Sequence, residues 1–121
     1  MHYESVLKQR SESFPEISYT VRKISFGGRL ELAKDIRELS RRMEFAAAGK
    51  EASDEMDASI LAAEIERLYL RWGLVSLEGL AVDGGPASPD LLVERGPESL
   101  TREIIRAIQA ECGLSEEERK N

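Results

Sequence analysis

The sequence predicts an α+β fold, mainly α, with about four helices and a small two- or three-stranded antiparallel sheet. Three observations carry that expectation. Apolar residues recur every three or four positions in two long central segments, a period-two apolar run precedes them, and glycine and proline signals bound two shorter helical segments near the end. The chain of 121 residues falls within the size of one domain. The expected division is a flexible or loosely docked segment over 1–16, a single α+β domain over 17–114 and a solvated acidic C-terminal turn over 115–121.

Residues 1–10 carry only a short helical hint, and "SESFPEI" reads as irregular chain because Pro15 disfavours helix at the residue before it. "ISYTVRKISF" then sets Ile17, Tyr19 and Val21 on one side of a strand, with Ile24 and Phe26 on the opposite parity. A bulge or turn near Arg22 and Lys23 would reconcile the two sets. Gly27 and Gly28 are expected to end that strand.

The first long helix is read from Leu32, Ile36, Leu39 and Met43, spaced by four, three and four. It is expected to end near Ala48, where Gly49 can close it in the left-handed conformation. After the polar "KEASDEMD", Ser53 or Asp54 is the expected cap of a second helix, with Ile60 or Leu61, Ile65, Leu68 and Trp72 along one stripe. The short polar connection implies two antiparallel helices of similar length.

"LVSL-EG-LAV" reads as a hairpin turning at Glu78 and Gly79. In the following "DGGPASPDLL", Ser88 is placed as an N-cap and Pro89 at the first helical position. No Gly-x-x-x-x-Gly-Lys pattern follows these glycines, so they read as turn residues and not as a phosphate cradle. That short helix should stop near Gly96, and Pro97 should begin another presenting Leu100, Ile104, Ala107 and Ile108, with Ala110 or Cys112 as further candidates. Gly113 suits its C-cap, Leu114 the accompanying apolar contact, and Ser115 with Glu118 a last capping box. The expected core comprises Leu32, Ile36, Leu39, Ile65, Leu68, Trp72, Leu91, Ile104 and Ile108.

Charge and cysteine content narrow the function classes. The formal net charge is −6, and it is uneven: residues 1–46 carry nine Lys/Arg against seven Asp/Glu, and residues 47–121 carry eight against sixteen. An acidic whole repels phosphate backbones and argues against a nucleic-acid binder. Cys112 is alone and His2 is the sole histidine, so neither an internal disulfide nor a Cys/His zinc site can form. No run of about eighteen apolar residues occurs, so no membrane span is expected. The expected compartment is the cytoplasm.

No catalytic, cofactor-binding or metal-binding residue is predicted. Paired carboxylates such as Glu64 with Glu66 or Asp54 with Asp57 suit a solvated helix face or a first turn. Ser76, Ser88 and Ser99 lack a Gly-x-Ser-x-Gly setting or a histidine to activate them. The expectation is therefore a protein without enzymatic activity. The candidate partner-binding residues are Lys34, Arg37 and Arg41, which line one helical face at spacings of three and four, and Trp72, whose amphipathic ring is favoured at interfaces. Glu31, Asp35, Glu38 and Glu44 stand at pairing distance along the same helix, and the helical phase of Trp72 with Ile65 and Leu68 favours core.

The final third, from "RWGLVSLEGLAVDGGPASPDLL" through "RGPESLTREII" to "LSEEERKN", resembles small bacteriophage or prophage tail assembly chaperones. The upstream "ISYTVRKISFGGRLELAKDIREL" is similar in layout. The resemblance implies protein binding in the bacterial host cytoplasm: keeping a tape-measure protein soluble while tail-tube subunits assemble around it. It supplies no catalytic residue. A homo-oligomer is compatible with this role. Two alternatives stand beside it, a structural tail or head-completion subunit and a small DNA-binding regulatory module using the basic helix.

Overall fold

A computed structural model describes residues 1–113. The element order is β1 (Val6–Arg10), β2 (Ser18–Arg22), α1 (Phe26–Ala47), α2 (Ala52–Gly73), β3 (Leu74–Glu78), β4 (Ala81–Val82), β5 (Gly85–Pro86), α3 (Pro89–Arg95) and α4 (Glu98–Cys112). This is the α+β, mainly α architecture expected. β2 is the centre of a three-stranded antiparallel sheet in the order β1-β2-β3, and β4 pairs only with β5.

The N-terminal segment departs from its reading. Neither helical nor irregular throughout, it contains β1, which pairs residue for residue with β2 from Val6 opposite Arg22 to Arg10 opposite Ser18. The reason is tertiary. Val6 and Leu7 are half-buried, and the polar "KQR" that masks strand character in the sequence belongs to an exposed edge, where charges are tolerated and protect against further pairing.

Strand β2 buries Ile17, Tyr19 and Val21 as their shared parity requires. It stops at Arg22, short of Phe26, because the Ser25 side chain accepts the Gly28 N–H at 3.0 Å and caps α1 there. Gly27 and Gly28 therefore lie inside the first helical turn. The irregularity in the sheet also sits elsewhere than Arg22 and Lys23. Thr20 faces Ser76 and Val21 faces Leu74, leaving Val75 as the extra residue on β3.

Helices α1 and α2 are 22 residues each and form the expected antiparallel hairpin, about 33 Å long at 1.5 Å per residue. As expected, α1 ends beside Ala48, its C-cap at φ −77°, but Gly49 is not left-handed. Helix α2 starts two or three residues earlier than expected, with Glu51 at its N-cap, and Asp54 acts from inside the first turn, where its carboxylate accepts the Glu51 N–H at 3.1 Å. α2 runs into β3 without a linker, and Gly73 at the junction admits the Ile108 side chain where a Cβ would stand.

The pair around Glu78 and Gly79 does not form a hairpin. "LVSLE" joins β2, whereas "AV" turns through Asp83 and Gly84, both at positive φ (52° and 84°), into β5. Positive φ at both central residues of a two-residue loop is the type I′ geometry that Asp-Gly favours. The glycines of "DGG" thus make a tight turn. Beyond it Ser88 accepts the Leu91 N–H at 3.2 Å with Pro89 in the first turn, and Gly113 closes α4 at φ 58°. Leu114 and the capping box from Ser115 to Glu118 lie outside the described residues.

The core joins one face of the sheet to α2, α3 and α4, and Leu32 and Ile36 of α1 complete it. Leu32, Ile36, Ile104 and Ile108 are buried as expected, but Leu39, Ile65, Leu68, Trp72 and Leu91 are only partly so. Leu92 takes the place expected for its neighbour Leu91. Ile17, Tyr69, Leu70, Leu74, Leu100, Ile105 and Cys112 also belong to the core. Burial raises the Cys112 thiol to about 11, with Arg29 opposing and Glu111 adding to the shift, so it is inert at neutral pH.

Glu103 ties the β1–β2 connection to α4. Its carboxylate accepts from the Ser11 hydroxyl at 3.1 Å, the Glu12 N–H at 3.2 Å and the Ser13 N–H at 3.1 Å. Burial alone would raise its pKa, but the hydrogen bonds from Ser13, Ser11 and Glu12 together prevail and hold it below the usual value. A carboxylate with a depressed folded pKa stabilises the fold above its unfolded pKa, and that contribution disappears as pH falls through the folded pKa. Glu103→Gln should therefore destabilise the protein at neutral pH and close part of the gap to wild type toward about pH 3. Urea midpoints of the two proteins that differ equally at both pH values would contradict this account.

Candidate functional site

On an ideal helix, Phe26, Leu30, Lys34, Arg37, Arg41 and Phe45 of α1 follow at steps of four, four, three, four and four. They share one face. It lies opposite the face of Leu32 and Ile36, and every one of these six residues is exposed. Phe26 is 85%, Leu30 52% and Phe45 87% accessible. Solvent-facing helix positions are normally polar. Here large apolar side chains stand at both ends of the face with three cations between them.

The cations are solvated. Lys34, Arg37, Arg41 and the neighbouring Arg42 form no ion pair among the described residues, although Glu31, Asp35, Glu38 and Glu44 accompany them along α1. Salt bridges instead link Lys8 to Glu78 at 2.8 Å, Arg95 to Asp83 at 3.3 Å, and Arg102 to Glu66 at 2.9 Å and to Glu98 at 3.4 Å. Extended cation side chains with free heads can pair with an incoming carboxylate.

Trp72 is placed apart from the cations. Its ring packs beside Gly28 in the first turn of α1, under the Arg22 guanidinium at 5.5 Å from the ring centroid. It is half-buried against the core, and its indole N–H is buried with no partner among the described residues. Of the four candidate residues, the fold thus gathers Lys34, Arg37 and Arg41 on one face and gives Trp72 a packing role at the proximal end of the hairpin.

A second apolar feature opens between the helices near their connection. Arg41, Arg42, Phe45 and Ala46 of α1 and Asp57, Ile60 and Leu61 of α2 line a groove of about 650 Å³, with Glu38 at one end. Ile60 is 53% exposed, and Leu61 takes the inward position.

Sequence reasoning missed Phe26, Leu30 and Phe45. Phe26 was assigned to a strand, and the other two fell off the stripe of Leu32, Ile36, Leu39 and Met43. The signal was present in their four-residue steps to the candidate cations.

Among the described residues no three His, Cys, Asp or Glu side chains gather where they could hold a metal ion, and no helix is long and apolar enough to cross a membrane. Comparisons with protein-family models, curated proteins and solved structures find no match.

Proposed function

We propose that this chain is a non-enzymatic protein-binding factor that grips its client with the outer face of α1. The observation that carries this reading is the exposure of Phe26, Leu30 and Phe45 around the unpaired Lys34, Arg37 and Arg41. Exposed large apolar groups are costly to leave in water unless a partner covers them. The cations between them suit a client segment with carboxylates between apolar anchors, as in a helix that lays one face against another. The resemblance to phage tail assembly chaperones specifies the client as a tape-measure protein, kept soluble in the host cytoplasm during tail assembly.

The test is co-expression with fragments of a neighbouring tape-measure protein, followed by size-exclusion chromatography. Fragments should stay soluble and co-elute with wild type, whereas Leu30→Glu should lose at least about tenfold in affinity, equivalent to 1.4 kcal/mol. Leu30 is exposed, so that variant should fold normally. Failure of well-folded wild type with several fragments would sink the reading. Rings without a client would instead identify a structural tail or head-completion subunit.

A DNA-binding reading gains one observation, because the cations are unpaired and an exposed Phe45 follows Arg41. The −6 charge opposes it, as do the exposed Glu31, Asp35, Glu38 and Glu44 on the same helix. Duplex binding that falls steeply with salt would restore it.

A further inference from the structure

We infer that the groove at the distal end of the α1–α2 hairpin is the contact surface for a second copy of this chain, which pairs α1 of each copy with α2 of the other. Among the described residues, only α1 and α2 line the groove in the distal half of the hairpin. Helix α1 packs mainly on α2, and beyond Ser40 only Ala46 of α1 is buried. From Ala52 to Leu68, α2 buries no residue fully. Two helices alone leave one side of their shared seam open, and a second hairpin closes it into a four-helix arrangement.

Charge selects the occupant and its orientation. The groove has Arg41 and Arg42 on its α1 rim, with Glu38 at one end, and Asp57 on its α2 rim. Arg42 stands five residues before the end of α1 and Asp57 five residues after the start of α2. The two are therefore at the same height above the connection. A two-fold axis running along the hairpin preserves height and exchanges sides, so Arg42 of each copy meets Asp57 of the other while Phe45 and Ile60 of both are withdrawn from water. The alternative two-fold, perpendicular to the helices, lays α1 on α1 and brings arginines toward arginines, which costs affinity. A self-complementary patch of this kind is what an isologous dimer requires.

The dimer groove shares Arg41 and Phe45 with the client face, but Ile60 and Asp57 belong to the groove alone and Leu30 lies at the other end of α1, so variants at these positions separate the two readings. Sedimentation velocity of the full chain over a wide concentration range tests it. Wild type should sediment at twice the 13.5 kDa of one chain, and Leu30→Glu should do the same. Ile60→Glu, at an exposed position, should be monomeric with an unchanged circular dichroism spectrum.

Charge exchange tests the orientation. Arg42→Glu alone and Asp57→Arg alone should each weaken self-association about tenfold or more, since each places like charges opposite one another twice. Mixing these two variants places opposite charges together at both contacts and should restore the dimer. A monomeric wild type, a dimer that survives Ile60→Glu, or a mixture that associates no better than its components would overturn the proposal.

Discussion

Ile36→Ala is expected to lower the unfolding free energy by about 2–5 kcal/mol, with Leu68→Ala costing distinctly less. Both residues belong to the apolar stripes of the hairpin, yet Ile36 is 0% accessible and Leu68 is only partly buried. The cost of truncation combines lost transfer free energy with a cavity that surrounding atoms cannot fill, and the second part needs atoms on every side. Ile36 has them because, with Leu32, it is where α1 joins the buried core cluster that also holds Tyr69 and Val21. Leu68 faces a side that water already reaches. Chemical denaturation of both variants checks the order. Equal losses would mean that the hairpin packs more uniformly than its burial indicates.

Gly79→Ala is expected to cost about 2–4 kcal/mol, and Gly84→Ala only about 1–2 kcal/mol. Both glycines have positive φ, 86° and 84° respectively, so both substitutions incur the left-handed strain of an L residue. Their surroundings differ. A Cβ on Gly79 would run into the carbonyl oxygen of Glu16, which belongs to the backbone entering β2, whereas a Cβ on Gly84 meets open space. Relieving the first collision means moving the end of β3 away from β2, where Ser18 and Glu78 are paired. The difference between the variants in urea denaturation therefore isolates the backbone collision from the conformational cost. Identical losses would leave only the latter.

Local signals in the sequence were reliable where one residue's chemistry decides the outcome. Ser88 with Pro89 starts α3 and Gly113 closes α4, because a hydroxyl acceptor, a ring-locked φ and an absent Cβ act within a few residues of themselves. Signals failed where two nearby options compete. The end of α1 near Ala48 was legible but the conformation of Gly49, which is not left-handed, was not, and Phe26 could extend β2 or open α1 until the Ser25 hydroxyl captured the Gly28 N–H. The candidate surface was half legible. Lys34, Arg37 and Arg41 share a face by helical arithmetic alone, but that they stand unpaired between exposed Phe26, Leu30 and Phe45 depended on which side of α1 the core claimed.

By itself the sequence determined the α+β class, the antiparallel hairpin of two equal helices, the inward parity of Ile17, Tyr19 and Val21, and the turn-forming role of "DGG". Each follows from periodicity or backbone preference inside a short window. Tertiary structure decided the rest. It drew a charged N-terminal segment into the sheet as β1 and sent "LVSLE" to β2 instead of to its neighbour "LAV". It made Leu92 the buried member of its pair and, among the described residues, left the distal hairpin without a covering element. These outcomes depend on surfaces distant in sequence, since pairing and burial reward only the partners that the chain can bring together at once.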